Sequence, residues 1–179
     1  RHYKRGANTF PSDFIVSLCK TSSGEILIGT ALDLTSYNPQ TKIFTRVKEV
    51  PGSNFVSDII ESKDSTVWVA TVNNGLYYYN RNKSIYGSFR YNILDTTGIS
   101  SDMINTLYED SRDNLWIGTE GGGLCRLNKK TQTFSRYTTG NGLPSNYIFK
   151  ILEDDIGKLW ISTSRGLVCM NSATAAIQV

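Results

Sequence analysis

One short stretch recurs along this chain, and its spacing limits the possible folds more than any other feature. Val67-Trp68-Val69-Ala70-Thr71, Asn114-Leu115-Trp116-Ile117-Gly118-Thr119 and Leu159-Trp160-Ile161-Ser162-Thr163 share one pattern, and Ile26-Leu27-Ile28-Gly29-Thr30 repeats it with Leu for Trp. All three tryptophans of the 179-residue chain sit at this position. The gaps from Leu27 to Trp68, Trp116 and Trp160 are 41, 48 and 44 residues, the period at which one repeat makes one four-stranded propeller blade. The expected fold is therefore all-β: a propeller of four four-stranded antiparallel blades, either closed as a four-bladed ring or forming an arc of a larger propeller.

Each unit follows one plan. First strands start at Phe14-Ile15, Phe55-Val56, Met103-Ile104 and Tyr147-Ile148, and polar turns follow at Ser22-Ser23-Gly24, Lys63-Asp64-Ser65, Arg112-Asp113-Asn114 and Asp155-Ile156-Gly157. Asp, Asn and Gly tolerate the positive φ that such turns demand. After the Trp strand, a Gly-containing turn leads to the third strand in three units, while Asp33 stands there in the first. The third strand ends at Asn38, Asn80, Asn128 or Asn171, whose side chain can close a turn on its own backbone. The repeats run approximately over 13–47, 54–91, 102–137 and 146–179, with 1–12 as the tail of a preceding blade or a closing outer strand. Because the chain starts and stops within outer strands, an excerpt of a larger propeller is favoured over a closed ring or a pairing of two copies.

The spacings separate two rims. From the first-strand Ile or Val to the Trp position the gap is 12 in every unit, and from the third-strand Leu to Asn it is always 4. The loop between the second and third strands and the connector between blades vary in length. In an antiparallel meander these two share one rim and the constant turns share the other. Loops that vary on a constant scaffold are where specificity resides, so the variable rim supplies the candidate ligand contacts: Asn73, Asn74, Glu120 and Arg165 in its short loops, and Tyr147 where a connector enters a blade. Polar groups beside an aromatic ring suit a carbohydrate.

A blade packed between neighbours is apolar on both faces, as Phe14-Ile15-Val16, Ile148-Phe149-Lys150-Ile151-Leu152 and Val67-Trp68-Val69-Ala70 are. Leu27, Trp68, Trp116 and Trp160 are read as wedges between blades, each indole N–H seeking a backbone or turn acceptor. Cys19, Cys125 and Cys169 make no disulfide framework or metal spacing and are read as small buried strand residues. Glu109-Asp110 and Glu153-Asp154-Asp155 are read as solvated turn acids rather than a calcium site. The sequence offers no cofactor or metal set, and His2 stands alone without a nucleophile to serve. Ser62-Lys63-Asp64-Ser65-Thr66-Val67-Trp68 resembles the Asp-box turn of sialidase propellers but lacks its Gly. A net charge of +3, from 19 Lys plus Arg against 16 Asp plus Glu, is too weak and scattered for a nucleic-acid footprint. No apolar run approaches the ~18 residues of a membrane span, and Arg1 to Arg5 is too basic and short for a signal peptide.

The pattern from Ile104 to Tyr137, Ile-x-x-Leu-Tyr-Glu-Asp-x(3)-Asn-Leu-Trp-Ile-Gly-Thr followed by Gly-Leu, Asn, Thr, Phe and Tyr, resembles the two-component regulator propeller repeat. Asn141-Gly142-Leu143-Pro144-Ser145-Asn146 resembles that family's connector. The resemblance implies a non-catalytic part of the periplasmic sensor region of a hybrid two-component system of the Bacteroides type. It implies an oligosaccharide ligand and neighbouring blades or domains of the same receptor as partners, with self-association a further expectation. The kinase, receiver and DNA-binding segments of such proteins have no counterpart in this sequence. A protein-interaction scaffold is the alternative function, and a glycosidase-like propeller a more distant one.

Overall fold

The computed structural model describes residues 3, 4, 6, 10 and 12–178. Of the segment 1–12, Arg1, His2, Arg5, Ala7, Asn8, Thr9 and Pro11 lie outside the described residues, as does Val179. Among the described residues sixteen strands form four sheets, each an antiparallel meander of four. The first blade is β1 (Ile15–Lys20), β2 (Ile26–Thr30), β3 (Leu34–Asn38) and β4 (Ile43–Arg46); the second is β5 (Val56–Glu61), β6 (Val67–Thr71), β7 (Leu76–Asn80) and β8 (Ile85–Phe89). The third is β9 (Ile104–Glu109), β10 (Leu115–Thr119), β11 (Leu124–Asn128) and β12 (Thr133–Tyr137); the fourth is β13 (Ile148–Glu153), β14 (Lys158–Thr163), β15 (Gly166–Asn171) and β16 (Ile177–Gln178). The chain divides into two compact units, Arg1–Ser88 and Phe89–Val179, each built around a pair of blades. The outer strand of the fourth blade is β16. Tyr3 sets its ring against Tyr37 and Phe44 of the first blade.

Within each unit the first strands of the two blades lie against each other, and the second strand of one also meets the first strand of the next. In the second unit Trp116, wholly buried, shares a core with Leu143, Ile148, Ile151, Leu159, Ile161 and Val168. In the first, Leu27 takes the same place among Val47, Val50, Val56, Ile59, Val67 and Val69. The glycine two residues after each of these is required by that contact. A Cβ on Gly118 would stand 2.7 Å from a methyl carbon of Ile148, and one on Gly29 would stand 2.6 Å from a methyl carbon of Val56. Both approaches are closer than packed carbon atoms allow.

The indole N–H of each tryptophan is satisfied from the turn six residues earlier. Trp116 Nε1 donates to Asp110 Oδ2 at 2.8 Å, Trp160 Nε1 to Asp154 Oδ2 at 2.8 Å, and Trp68 Nε1 to Ser62 Oγ at 3.0 Å. The third-strand Asn is equally regular. Its Oδ1 accepts the backbone N–H three residues on, from Thr41, Lys83, Thr131 and Thr174, which closes the corner into the outer strand. These bonds account for Asn38, Asn80, Asn128 and Asn171 as turn residues.

Several readings of the sequence are corrected. Every residue of β6 and β10 is buried, yet the first and fourth blades each leave one apolar face open. Phe14, Val16 and Leu18 are exposed, as are Phe149, Leu152, Leu167 and Trp160, the last at 41 %. Trp160 is thus no buried wedge, because among the described residues of the second unit no further blade stands over its face. Of the cysteines only Cys125 is buried; Cys19 and Cys169 are half-buried. Burial pushes the thiols of Cys19 and Cys125 above their usual range.

Trp116 and Trp160 occupy one repeat position in two environments, and the difference is measurable. Trp116→Ala should destabilise the protein by about 3–5 kcal/mol, as expected for a large aromatic removed from a core. Trp160→Ala should cost less than about half of that, and denaturant titration of both variants gives the comparison.

Candidate functional site

The variable rim of the second unit is held by backbone bonds that converge on one connector. After β12 the chain makes a 3-10 turn at Thr139–Asn141, with Thr138 as its N-cap in a reciprocal capping box with Asn141. Leu143 then enters the core. Asn146 secures the rest: its Oδ1 accepts from Thr139 N at 2.8 Å, and its carbonyl accepts from Gly121 N at 3.2 Å and Gly123 N at 2.9 Å. Ser145 and Ser164 share a hydroxyl–hydroxyl bond of 2.7 Å. The preceding connector is clasped by Arg136, which donates to the carbonyls of Gly98 at 2.8 Å, Asp95 at 2.6 Å and Ile99 at 3.2 Å.

These bonds bring three of the five candidate ligand residues together. Glu120 pairs with Tyr147 as an isolated antiparallel bridge, and Ser164 N donates to the Tyr147 carbonyl at 3.1 Å, placing Arg165 one residue further on. Glu120, Tyr147 and Arg165 are all exposed. The backbone thus sets a glutamate, a tyrosine and an arginine at neighbouring positions on this rim.

Asn73 and Asn74 belong to the first unit. Asn73 is exposed, whereas Asn74 is half-buried and its Nδ2 donates to the Gly52 carbonyl at 3.1 Å. Asn74 N also donates to Thr71 Oγ1 at 2.9 Å. The Asn74 amide therefore closes its own loop onto the connector.

The constant rim differs from its sequence reading. Asp110 is buried and is no solvated acid: besides Trp116 it accepts from Arg112 N, Asn114 N and Asn114 Nδ2 at 2.8–3.1 Å. Glu109 accepts from Lys129 Nζ at 2.6 Å, and Glu153 accepts from Ser111 N at 2.7 Å and Ser111 Oγ at 2.8 Å. Hydrogen bonds from Trp160, Lys158 N and Ile156 N draw the Asp154 carboxyl below its usual range. These oxygens serve internal donors. The first unit repeats the Glu153 arrangement, Glu61 accepting from Ser22 N at 2.5 Å and Ser22 Oγ at 3.1 Å. Beside that bond lies a cavity of about 270 Å³, which the constant spacing of this rim concealed. Its signal in the sequence is Ser23, standing where the third repeat has Arg112.

Residues 98–121 and 142–165 match the two component regulator propeller family model, and those stretches are repeats of that family. A histidine kinase P4 of Formosa agariphila is 33 % identical over 88 residues, a match covering 44 % of this chain and 6 % of that protein. Among solved structures, an extracellular domain assigned to a hybrid two component system of B. thetaiotaomicron superposes with a TM-score of 0.83 at 19 % identity, over 98 % of this chain and 26 % of that one. A second such domain from B. thetaiotaomicron superposes at 0.77 with 22 % identity, over 92 % of this chain and 24 % of that one. These two likenesses establish the propeller fold. The chain spans about a quarter of each extracellular domain and a small fraction of the kinase. No helix among the described residues is long and apolar enough to cross a membrane.

The turn that resembles an Asp box supplies a pH test. Partial burial raises the Asp64 pKa, but Lys83 Nζ at 2.6 Å and Thr66 outweigh it and hold the carboxyl at about 2, against an ordinary 3.8. A depressed carboxylate adds stability that is complete above its unfolded value and is lost as pH falls through the folded one. The pair is half exposed, so the contribution is small. The melting advantage over Asp64→Asn should be constant from neutral pH down to about 4 and vanish near pH 2, measured by thermal melts of both proteins across that range.

Proposed function

We propose that this chain is a non-catalytic ligand-sensing propeller segment of a bacterial hybrid two-component receptor, placed in the periplasm and serving a histidine kinase elsewhere in the receptor. The observation that carries this reading is the match of residues 98–121 and 142–165 to the two component regulator propeller. The same regulatory context stands in the description of the kinase that shares 33 % identity over 88 residues. The ligand is an oligosaccharide seated against Tyr147, with Glu120 accepting from and Arg165 donating to its hydroxyls. This reading gives the segment no catalytic role.

The open faces complete the proposal. Leu152 and Trp160 of the fourth blade stand where Tyr108 and Trp116 stand in the third, on the face that β13 covers there. The partner of that open face is a further blade of the same receptor, entering with an Ile or Val as Ile148 does against Gly118. Such a seam would pass a change at the rim to the neighbouring domain. It also explains how a scaffold role joins sensing in one molecule.

Screening the purified chain on a glycan array should retain one class of oligosaccharide. A hydrogen bond to a charged group contributes about 1.5–3 kcal/mol, so Arg165→Ala should weaken that binding by roughly tenfold or more. Tyr147→Ala should weaken it comparably, with the melting temperature of both variants unchanged. Retention of no glycan, or variants that bind as wild type, would overturn the ligand assignment.

A further inference from the structure

Counting from the Trp position, Ser23 and Ser65 of the first unit correspond to Arg112 and Gly157 of the second; counting from the third-strand Asn, Arg81 corresponds to Ser172. The glutamate bonds described above, Glu61 to Ser22 and Glu153 to Ser111, hold the paired turns in the same way in both.

In the second unit the Arg112 guanidinium lies across this junction. Its Nη1 donates to Ser172 Oγ, and a Cβ on Gly157 would stand 3.4 Å from Nη1. In the first unit Ser23 is too short to do so, and the space remains as the cavity of about 270 Å³, lined by Ser22, Ser23, Glu25, Glu61, Tyr79 and Arg81. Arg81 does not fill it. Its Nε donates to Glu49 at 2.9 Å and its Nη1 to Glu25 at 3.1 Å, with the guanidinium over the Tyr79 ring at 5.4 Å. Burial lowers the Arg81 pKa, but the bond to Glu49 and its other neighbours outweigh this and hold it above its usual value; the Glu49 carboxyl is held below its own. Two carboxylates, Glu25 and Glu61, therefore line the cavity beside one permanent cation, which Glu49 already pairs from outside it. Such a field repels anions and leaves the surplus acceptors to a planar cationic donor.

We propose that this cavity binds the guanidinium group of a small alkylguanidine, which takes the place that Arg112 fills from within in the second unit. Glu25 and Glu61 accept its N–H groups on their remaining lone pairs, and the Ser23 hydroxyl borders its far edge. The site lies on the constant rim, separate from the carbohydrate cluster at Tyr147, and it stands or falls independently of that assignment.

The test is an NMR titration of the whole 179-residue chain with methylguanidine, alongside methylamine and acetate. Saturable shifts with methylguanidine, weaker ones with methylamine and none with acetate are expected. Ser23→Arg transplants the internal guanidinium and should abolish the saturable response while raising the melting temperature. Glu25→Gln should weaken binding by roughly tenfold, the loss expected for a charge-assisted hydrogen bond. A flat titration with methylguanidine, tighter binding of acetate, or an undiminished response in both variants would overturn the proposal.

Discussion

The close approach of one blade's first strand to the next-to-innermost strand of its neighbour governs this structure. Ile148 can reach Gly118, and Val56 can reach Gly29, only because nothing projects from those glycines. Once that notch is occupied, the Trp116 or Leu27 side chain beside it is sealed and the remaining strand positions fall into line. The first turn of each repeat keeps its length while it brings an acceptor under the indole in the three Trp repeats and a serine to the neighbouring glutamate in the first and third.

Much of this architecture was legible in the sequence because it repeats. Four blades, their strand starts and the asparagine corners all recur at fixed intervals, so a chance resemblance in one unit is checked by three others. What the repeat cannot convey is whether a given face has a neighbour. Trp160 carries the same pattern as Trp116, and only the packing shows that one is open and the other sealed. The acids were misread for a related reason. Asp110 looks like any polar turn residue until its relation to Trp116 is seen across the hairpin. The hint was present within the chain: where Leu27 replaces Trp, Thr21 stands at the acceptor position and bonds its own turn.

The candidate ligand regions were legible in a more limited way. Loop-length variation pointed to the rim where Glu120, Tyr147 and Arg165 converge, since backbone topology determines that convergence. It could not reveal that the Asn74 amide is committed to Gly52, because that depends on where a connector carbonyl happens to lie. The constant rim was taken for scaffolding, and it is scaffolding in the second unit. In the first, one small residue leaves an opening without altering any spacing, so a departure confined to side-chain volume is the kind that periodicity hides.

The placement of all the tryptophans at one repeat position also gives the molecule an optical asymmetry. Trp116 is sealed and bonded to a carboxylate, Trp68 is buried and bonded to a hydroxyl, and Trp160 alone is substantially open to solvent. Collisional quenchers in water will therefore reach one emitter selectively. The light that survives them comes from the interior, and the light they extinguish reports whether anything has come to rest on the fourth blade.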